Sequence, residues 1–226
     1  MANRPVFFIS DNKPFYEEKG VEFKFFSGFS PEQKKRSVRS LHSAAKEIFT
    51  DAEILEISTK SESPLGVSMS AFNLKYTMKD GKTLPFESVF QSSKVFENGK
   101  SYKDLLFSSP IEAKKDPRIR ESGRIISFEL DGEIFETEPK TLFYDWMYVN
   151  AMSKRTELWE DLLRYNGFTD IEFNPNRSIN CQARSAAIFV SLLRNSKLEA
   201  ALESPSSFCR IIYSENEPET EQLSLF

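Results

Sequence analysis

Glu87, Gln91 and Lys94 stand four and three residues apart in the segment "FESVFQSSKVF". On a helix those intervals place all three side chains on one face. A carboxylate and an amine on adjacent turns can share a site and act together on a bond. Such pairs are more often a solvated helix face, so spacing alone is a weak signal. The flanking Phe86, Phe90 and Phe96 turn the segment toward the core. Other chemistries have little support. The chain holds one histidine, His42, and two distant cysteines, Cys181 and Cys209. No P-loop, G-x-G-x-x-G, H-E-x-x-H or G-x-S-x-G pattern occurs. A zinc site is disfavoured, and the cysteines read as two reduced, buried thiols. No metal and no cofactor are expected. His42, with no Cys or His partner in sequence, reads as a structural or surface residue.

The elements that must hold these residues follow from periodicity. "PVFFIS" and "VEFKFF" read as strands. A helix should begin at Ser30, with Pro31 in its first position and Gln33 completing a capping box. Its buried stripe would be Val38, Leu41, Ala45 and Ile48. "EILEIS" and "VSMSAFNLKYTM" read as strands, the second turning at "KDGK". A second capped helix should start at Ser109, with Pro110 and Glu112 placed for a capping box. "RIISFEL-DG-EIFE" reads as a hairpin about Asp131 and Gly132. "KTLFYDWMYVNAM", "TELWEDLLRY" and "QARSAAIFVSLLR" read as helices, with "NGFTDIEFNPNRSIN" a long polar loop between the last two. The class is a helix-rich α+β single domain with small antiparallel strands, grouped in the first two thirds.

The 226 residues carry a net charge of −4, which Glu215, Glu217, Glu219 and Glu221 account for in full. The body is therefore neutral and exerts no general pull on nucleic acid, although "KKDPRIR" at 114–120 is a local basic cluster. The 21 phenylalanines predict an aromatic core, and some could line a pocket for a flat ligand. No apolar run suits a signal peptide or a spanning helix, so a soluble, cytoplasmic protein is expected.

"ESVFQSSKVF" resembles the E-H-x-[FY]-Q-A-x-K-F motif of the NADAR family. "SSPIEAKKDPR" resembles that family's S-P-x-E-A-K-x-x-G-R segment. "SIN" and "SLLR" resemble its terminal helix. The opening "RPVF", "GFSPEQKKRSVRSLHSAAK", "FYDWMYVNAM" and "FTDIEFNPNRSINCQARSAA" are similar to the NADAR proteins encoded beside DarT-type toxins, which transfer ADP-ribose onto DNA bases. The resemblance implies the NADAR fold, with residues 1–64 an N-terminal extension, 65–213 the catalytic domain and 214–226 an acidic tail. It implies an N-glycosidase that removes ADP-ribose from guanine in DNA and so acts as an antitoxin. It implies Glu87, Lys94 and Asp170 as catalytic, and Gln91, Lys114, Arg118 and Asn180 as substrate-binding. Ser88 replaces the family's usual histidine, Val95 its phenylalanine, and "DIEFNP" the usual Trp-Gly after the late aspartate.

Cleavage of an N-glycosidic bond builds positive charge on the anomeric carbon, which a buried Glu87 or Asp170 would stabilise. Lys94 would either hold a ribose hydroxyl or phosphate or attack the anomeric carbon to form a Schiff base. Arg118 suits a pyrophosphate, and Trp146 is a core anchor or a stacking partner for a base. Two other readings compete: a NADAR N-glycosidase acting on a riboflavin-pathway metabolite, and a non-catalytic module that binds ADP-ribose or the toxin. The ending "QLSLF" resembles the motif by which bacterial proteins bind the DNA sliding clamp. Leu223, Leu225 and Phe226 would enter apolar pockets while Gln222 bonds at the rim, with the acidic spacer as a tether. Expected partners are thus ADP-ribosylated DNA, ADP-ribose as product, the sliding clamp and a cognate toxin, with no membrane.

Overall fold

The computed structural model describes residues 1–28, 30–176 and 178–214. Gln222, Leu223, Leu225 and Phe226 lie outside the described residues. In chain order the elements are β1 (Ala2–Ile9), β2 (Tyr16–Phe23), α1 (Pro31–Ile48), β3 (Ile54–Glu56), α2 (Pro64–Ser68), β4 (Lys75–Thr77), β5 (Thr83–Pro85), α3 (Phe86–Ser92), β6 (Lys94–Phe96), α4 (Pro110–Lys115), α5 (Pro117–Glu121), β7 (Ile125–Leu130), β8 (Glu133–Glu136), α6 (Leu142–Ser153), α7 (Trp159–Leu162), β9 (Gly167–Thr169), α8 (Gln182–Arg194), α9 (Leu198–Leu202) and α10 (Pro205–Ile212). They form one α+β domain.

The largest sheet has the order β2-β1-β9-β3. β1 pairs antiparallel with β2 and β9, and β3 pairs parallel with β9. Alternation along the strands sends Val6, Val21 and Ile54 to one face, where they meet Val38, Leu41 and Ala45 of α1. Phe7, Leu55 and Phe168 point the other way, into the main core with α6 and α8. α6 is apolar on nearly every side and buried from Leu142 to Val149, as a helix enclosed by others must be. Small residues on α8, Ala183, Ala186 and Ala187, are fully buried and leave room for it. Ser30 caps the Gln33 amide and Pro31 opens α1 as expected, but Gln33 does not complete a capping box among the described residues: its Oε1 accepts from Arg36 Nη1. Ile48, expected in the buried stripe, is exposed at the C-terminal end, where the sheet no longer covers the helix.

Several local expectations need correction. The α3 helix stops at Ser92, so Lys94 is not on a helix face but opens strand β6. The hydroxyls of Ser92 and Ser93 both donate to the Val89 carbonyl, and the β-forming Val95-Phe96 pair joins β7. The 67–78 segment is mostly not strand: α2 and turns occupy it, and only Lys75–Thr77 pairs, with β5. Gly66 makes this packing possible, since a Cβ there would lie 2.0 Å from the Glu56 carbonyl oxygen. Pro117 splits the expected helix after Ser109 in two, with Lys114 on α4 and Arg118 on α5. "TELWEDLLRY" folds as a 3-10 turn and the one-turn α7. The polar loop contains β9, in the interior of the main sheet and beyond the first two thirds of the chain. The Ser109 capping box and the hairpin turn at Asp131 and Gly132, both at positive φ, form as expected.

Candidate active site

Glu87 and Gln91 occupy successive turns of α3, and Lys94 follows just beyond its end. All three are buried: Glu87 is 4% exposed, Gln91 5% and Lys94 8%. Gln91 Nε2 donates to Glu87 Oε1 at 2.8 Å, and Lys94 Nζ donates to Gln91 Oε1 at 2.6 Å. The amide thus links carboxylate to amine, and its two ends can satisfy them in only this orientation. The Lys94 ammonium also lies 4.9 Å from the centre of the Phe90 ring. Burial pushes Lys94 down from the usual lysine range to about 8; Glu87 opposes this and Lys114 adds to it.

This chain floors the junction of a two-lobed cleft. One lobe, about 560 Å³, is walled by Phe90, Phe128 and Ile179 and carries Arg124 and Lys140 at its edge. The other, about 600 Å³, is walled by Ser70, Phe72, Phe173 and Asp170. Glu87, Lys114, Tyr144 and Asn180 line both. Each lobe has the size of an ordinary small-ligand site.

Lys114 comes from the capped helix α4. Its Nζ lies 3.9 Å from Glu87 Oε1 and 4.8 Å from the centre of the Phe72 ring. Asp170 directly follows β9. Its Oδ2 accepts from Gln182 Nε2 at 2.9 Å, while Gln182 Oε1 accepts from the Ala71 amide at 2.8 Å. Burial raises the Asp170 carboxyl above the usual range, against the hydrogen bond from Gln182. Two polar atoms of the cleft wall, Ser70 Oγ and Asn180 Oδ1, are buried without a hydrogen-bond partner among the described residues. Buried orphans of this kind are rare in folded proteins and mark places where a ligand or water completes the bonding.

Of the sequence-derived residues, Glu87, Lys114 and Asn180 line both lobes, Gln91 and Lys94 line the first, and Asp170 lines the second. Arg118 and Trp146 line neither lobe. The Arg118 guanidinium is held by Asp116 and Asp104, with Nη2 at 2.8 and 2.7 Å from their carboxylates, and stacks on Tyr102. Trp146 packs against Phe135 and Phe208 in the core.

Sequence reasoning missed Tyr144 on α6 and Gln182 at the start of α8, although both lie in segments that carry the resemblance, and Ser70, Phe72, Arg124 and Lys140, which reach the cleft from turns and strand ends with no motif around them. It also missed Glu56. That carboxyl, at the C-terminal end of β3 and buried, accepts from Ser58 Oγ at 2.6 Å, Thr169 Oγ1 at 2.7 Å and the Ile171 amide at 2.8 Å. Burial, with the nearby Asp170, nonetheless raises it strongly. His42 Nε2 lies 2.8 Å from Thr169 Oγ1. Burial, then Lys46, pushes His42 down to about 4, so the ring is neutral and structural at pH 7.

A cleft of this size, with aromatic walls and a buried carboxylate and amine at its floor, has the form of a small-molecule site. The chain belongs to the NADAR family: the model of the DarT1-associated NADAR antitoxins matches residues 2–222. A comparison with curated proteins gives no match. Among the described residues no helix is long and apolar enough to cross a membrane.

Proposed function

We propose that this antitoxin-family protein is an N-glycosidase that removes ADP-ribose from guanine in DNA. The observation that carries the reading is the buried Glu87–Gln91–Lys94 chain at the junction of the two lobes. A module that only held ADP-ribose would have no use for an amine whose proton is loosened by burial. In the proposed reaction, neutral Lys94 Nζ bonds to the anomeric carbon as the bond from that carbon to the guanine nitrogen breaks. The electron pair leaves with the guanine nitrogen, which takes the proton of the Asp170 carboxyl. Glu87 stabilises the positive charge that develops on the sugar. The new amine sheds a proton, which returns to Asp170 through solvent, and opening of the ribose ring gives a Schiff base. Water then adds, the Lys94 amine departs, and ADP-ribose is released. The balance is one water consumed for one bond broken.

The test is release of ADP-ribose from a guanine-ADP-ribosylated oligonucleotide. Glu87→Gln and Lys94→Ala should each lower turnover by at least about 10²-fold, the scale of removing one positioned catalytic group, while thermal melts stay near wild type. Near-normal turnover in both variants would assign the chemistry elsewhere. We also read "QLSLF" at 222–226 as a contact for the DNA sliding clamp, on the strength of the motif, which would bring the enzyme to replicating template.

A further inference from the structure

We propose that the cleft is polarised: the diphosphate of the substrate lies in the first lobe, on Arg124 and Lys140, and the departing base lies in the second, against Asp170, Asn180 and Ser70. The assignment rests on the glycosidase reading above. Among the described residues, the charged side chains that line only the first lobe are Lys94, Arg124, Lys140 and Glu138. Those that line only the second are Lys60, Asp170 and Glu172. With Lys94 neutral and Asp170 protonated, as the reaction requires, the first lobe keeps a positive surplus from Arg124 and Lys140 over Glu138, and in the second Lys60 and Glu172 cancel. A diphosphate, with two negative charges, is favoured in the first over the second.

The available donors agree. Arg124 is 80% exposed, and its one ion-pair contact, Nε to Glu97, is a loose 3.7 Å, so its guanidinium fork can turn to phosphate oxygens. Arg118 cannot, because Asp104 and Asp116 already hold it. The second lobe offers what a base needs. Phe72 and Phe173 give it aromatic surface. Asn180 Oδ1, at the boundary of the two lobes, and Ser70 Oγ, in the second alone, are buried and without a partner among the described residues, and Ser70 is 0% exposed. An acceptor such as Asn180 Oδ1 suits the N–H groups on the Watson–Crick edge of guanine. The Asp170 proton can reach the leaving nitrogen only if the base departs into this lobe.

The experiment is a calorimetric titration of ADP-ribose into the full chain, wild type against Arg124→Ala/Lys140→Ala and Ser70→Ala. Activity on a modified oligonucleotide is measured on the same preparations. The double variant should weaken ADP-ribose binding at least about tenfold, as expected for loss of two charge-assisted contacts. Ser70→Ala should leave that affinity within about twofold yet raise KM for modified DNA several-fold. An active wild type whose double variant binds ADP-ribose normally, or whose Ser70→Ala variant loses ADP-ribose binding, overturns the polarity and leaves the glycosidase reading standing. A wild type that neither binds ADP-ribose nor releases it overturns both.

Discussion

Replacing Lys94 by arginine keeps a cation at the floor of the cleft but removes any neutral amine, since arginine does not lose its proton in proteins. An unperturbed lysine, with a pKa of 10.5, becomes one near 8 at this position. At about pH 7.5 the neutral fraction rises from roughly 0.1% to about one quarter, a gain of about 200-fold in attacking amine. If that gain is what burial is for, Lys94→Arg should lose at least about 10³-fold in turnover, well beyond the effect of altered charge placement. Because the reaction needs Lys94 neutral and the Asp170 carboxyl, raised to about 6, protonated, wild-type kcat/KM should fall about tenfold per pH unit below pH 6, stay level between about pH 6 and pH 8 and fall again above pH 8. Borohydride added during turnover should leave an ADP-ribose adduct on Lys94. The assay is single-turnover release of ADP-ribose from a modified oligonucleotide between about pH 4.5 and pH 9. Turnover of Lys94→Arg within about tenfold of wild type, or a wild-type rate that does not fall below pH 6, would refute the nucleophile role and leave Lys94 as a binding cation.

Lys114→Gln removes a charge that depresses Lys94; the side chain is 53% exposed, so screening limits the rise of the profile's alkaline midpoint to roughly a few tenths of a pH unit, and a downward shift would contradict the assignment. Glu56→Gln should cost little at pH 6. The folded state keeps the Glu56 proton up to about 8, above its unfolded range, so wild-type stability from this group is full below about pH 4.5 and lost as pH rises to 8. Melting temperatures should therefore favour the variant increasingly toward high pH, and a difference constant with pH would show that Glu56 is ionised when buried. Asp145, fully buried, accepts from Arg184 Nη2 at 3.1 Å and from the hydroxyls of Ser185 and Tyr213; Asp145→Ala should destabilise by about 3–5 kcal/mol by stranding the buried guanidinium, and denaturation showing less than about 1 kcal/mol would mean water takes its place. Deleting Gln222–Phe226 should leave release from short DNA unchanged while abolishing clamp binding, expected at micromolar strength, about −8 kcal/mol, by fluorescence anisotropy.

The sequence made legible those parts of the fold that rest on local chemistry. Ser30-Pro31, Ser109-Pro110-Glu112 and Asp131-Gly132 announce their helix starts and turn because the interacting groups are three residues apart or fewer. β9 was hidden because three residues, Gly167–Thr169, gain their strand character only from β1 and β3 on either side. The site shows the same division. Glu87 and Gln91 could be paired from their interval, and Lys94 belonged with them although the helical reason for placing it there was wrong. Arg118 looked like an anion ligand because nothing in sequence reveals that Asp104, 14 positions away, holds its side chain. Arg124, Lys140 and Ser70 gave no signal, since a lone cation on a hairpin or a lone serine in a turn acquires meaning only from the cavity beside it.

The place of β9 between β1 and β3 has a consequence for how the protein comes into being. During synthesis, β1, β2, α1 and β3 leave the ribosome early, but β1 and β3 have no common neighbour until residues 167–169 follow. Until then both present open edges that invite pairing with other chains. The Glu87–Gln91–Lys94 chain is likewise made long before Asp170 and Asn180, so a half-translated copy holds the floor of the cleft without its second wall. Long-range pairing of this kind is slow to form. A cell relying on this antitoxin is protected by finished molecules alone, since a chain that ends before Asn180 lacks the wall that completes the cleft.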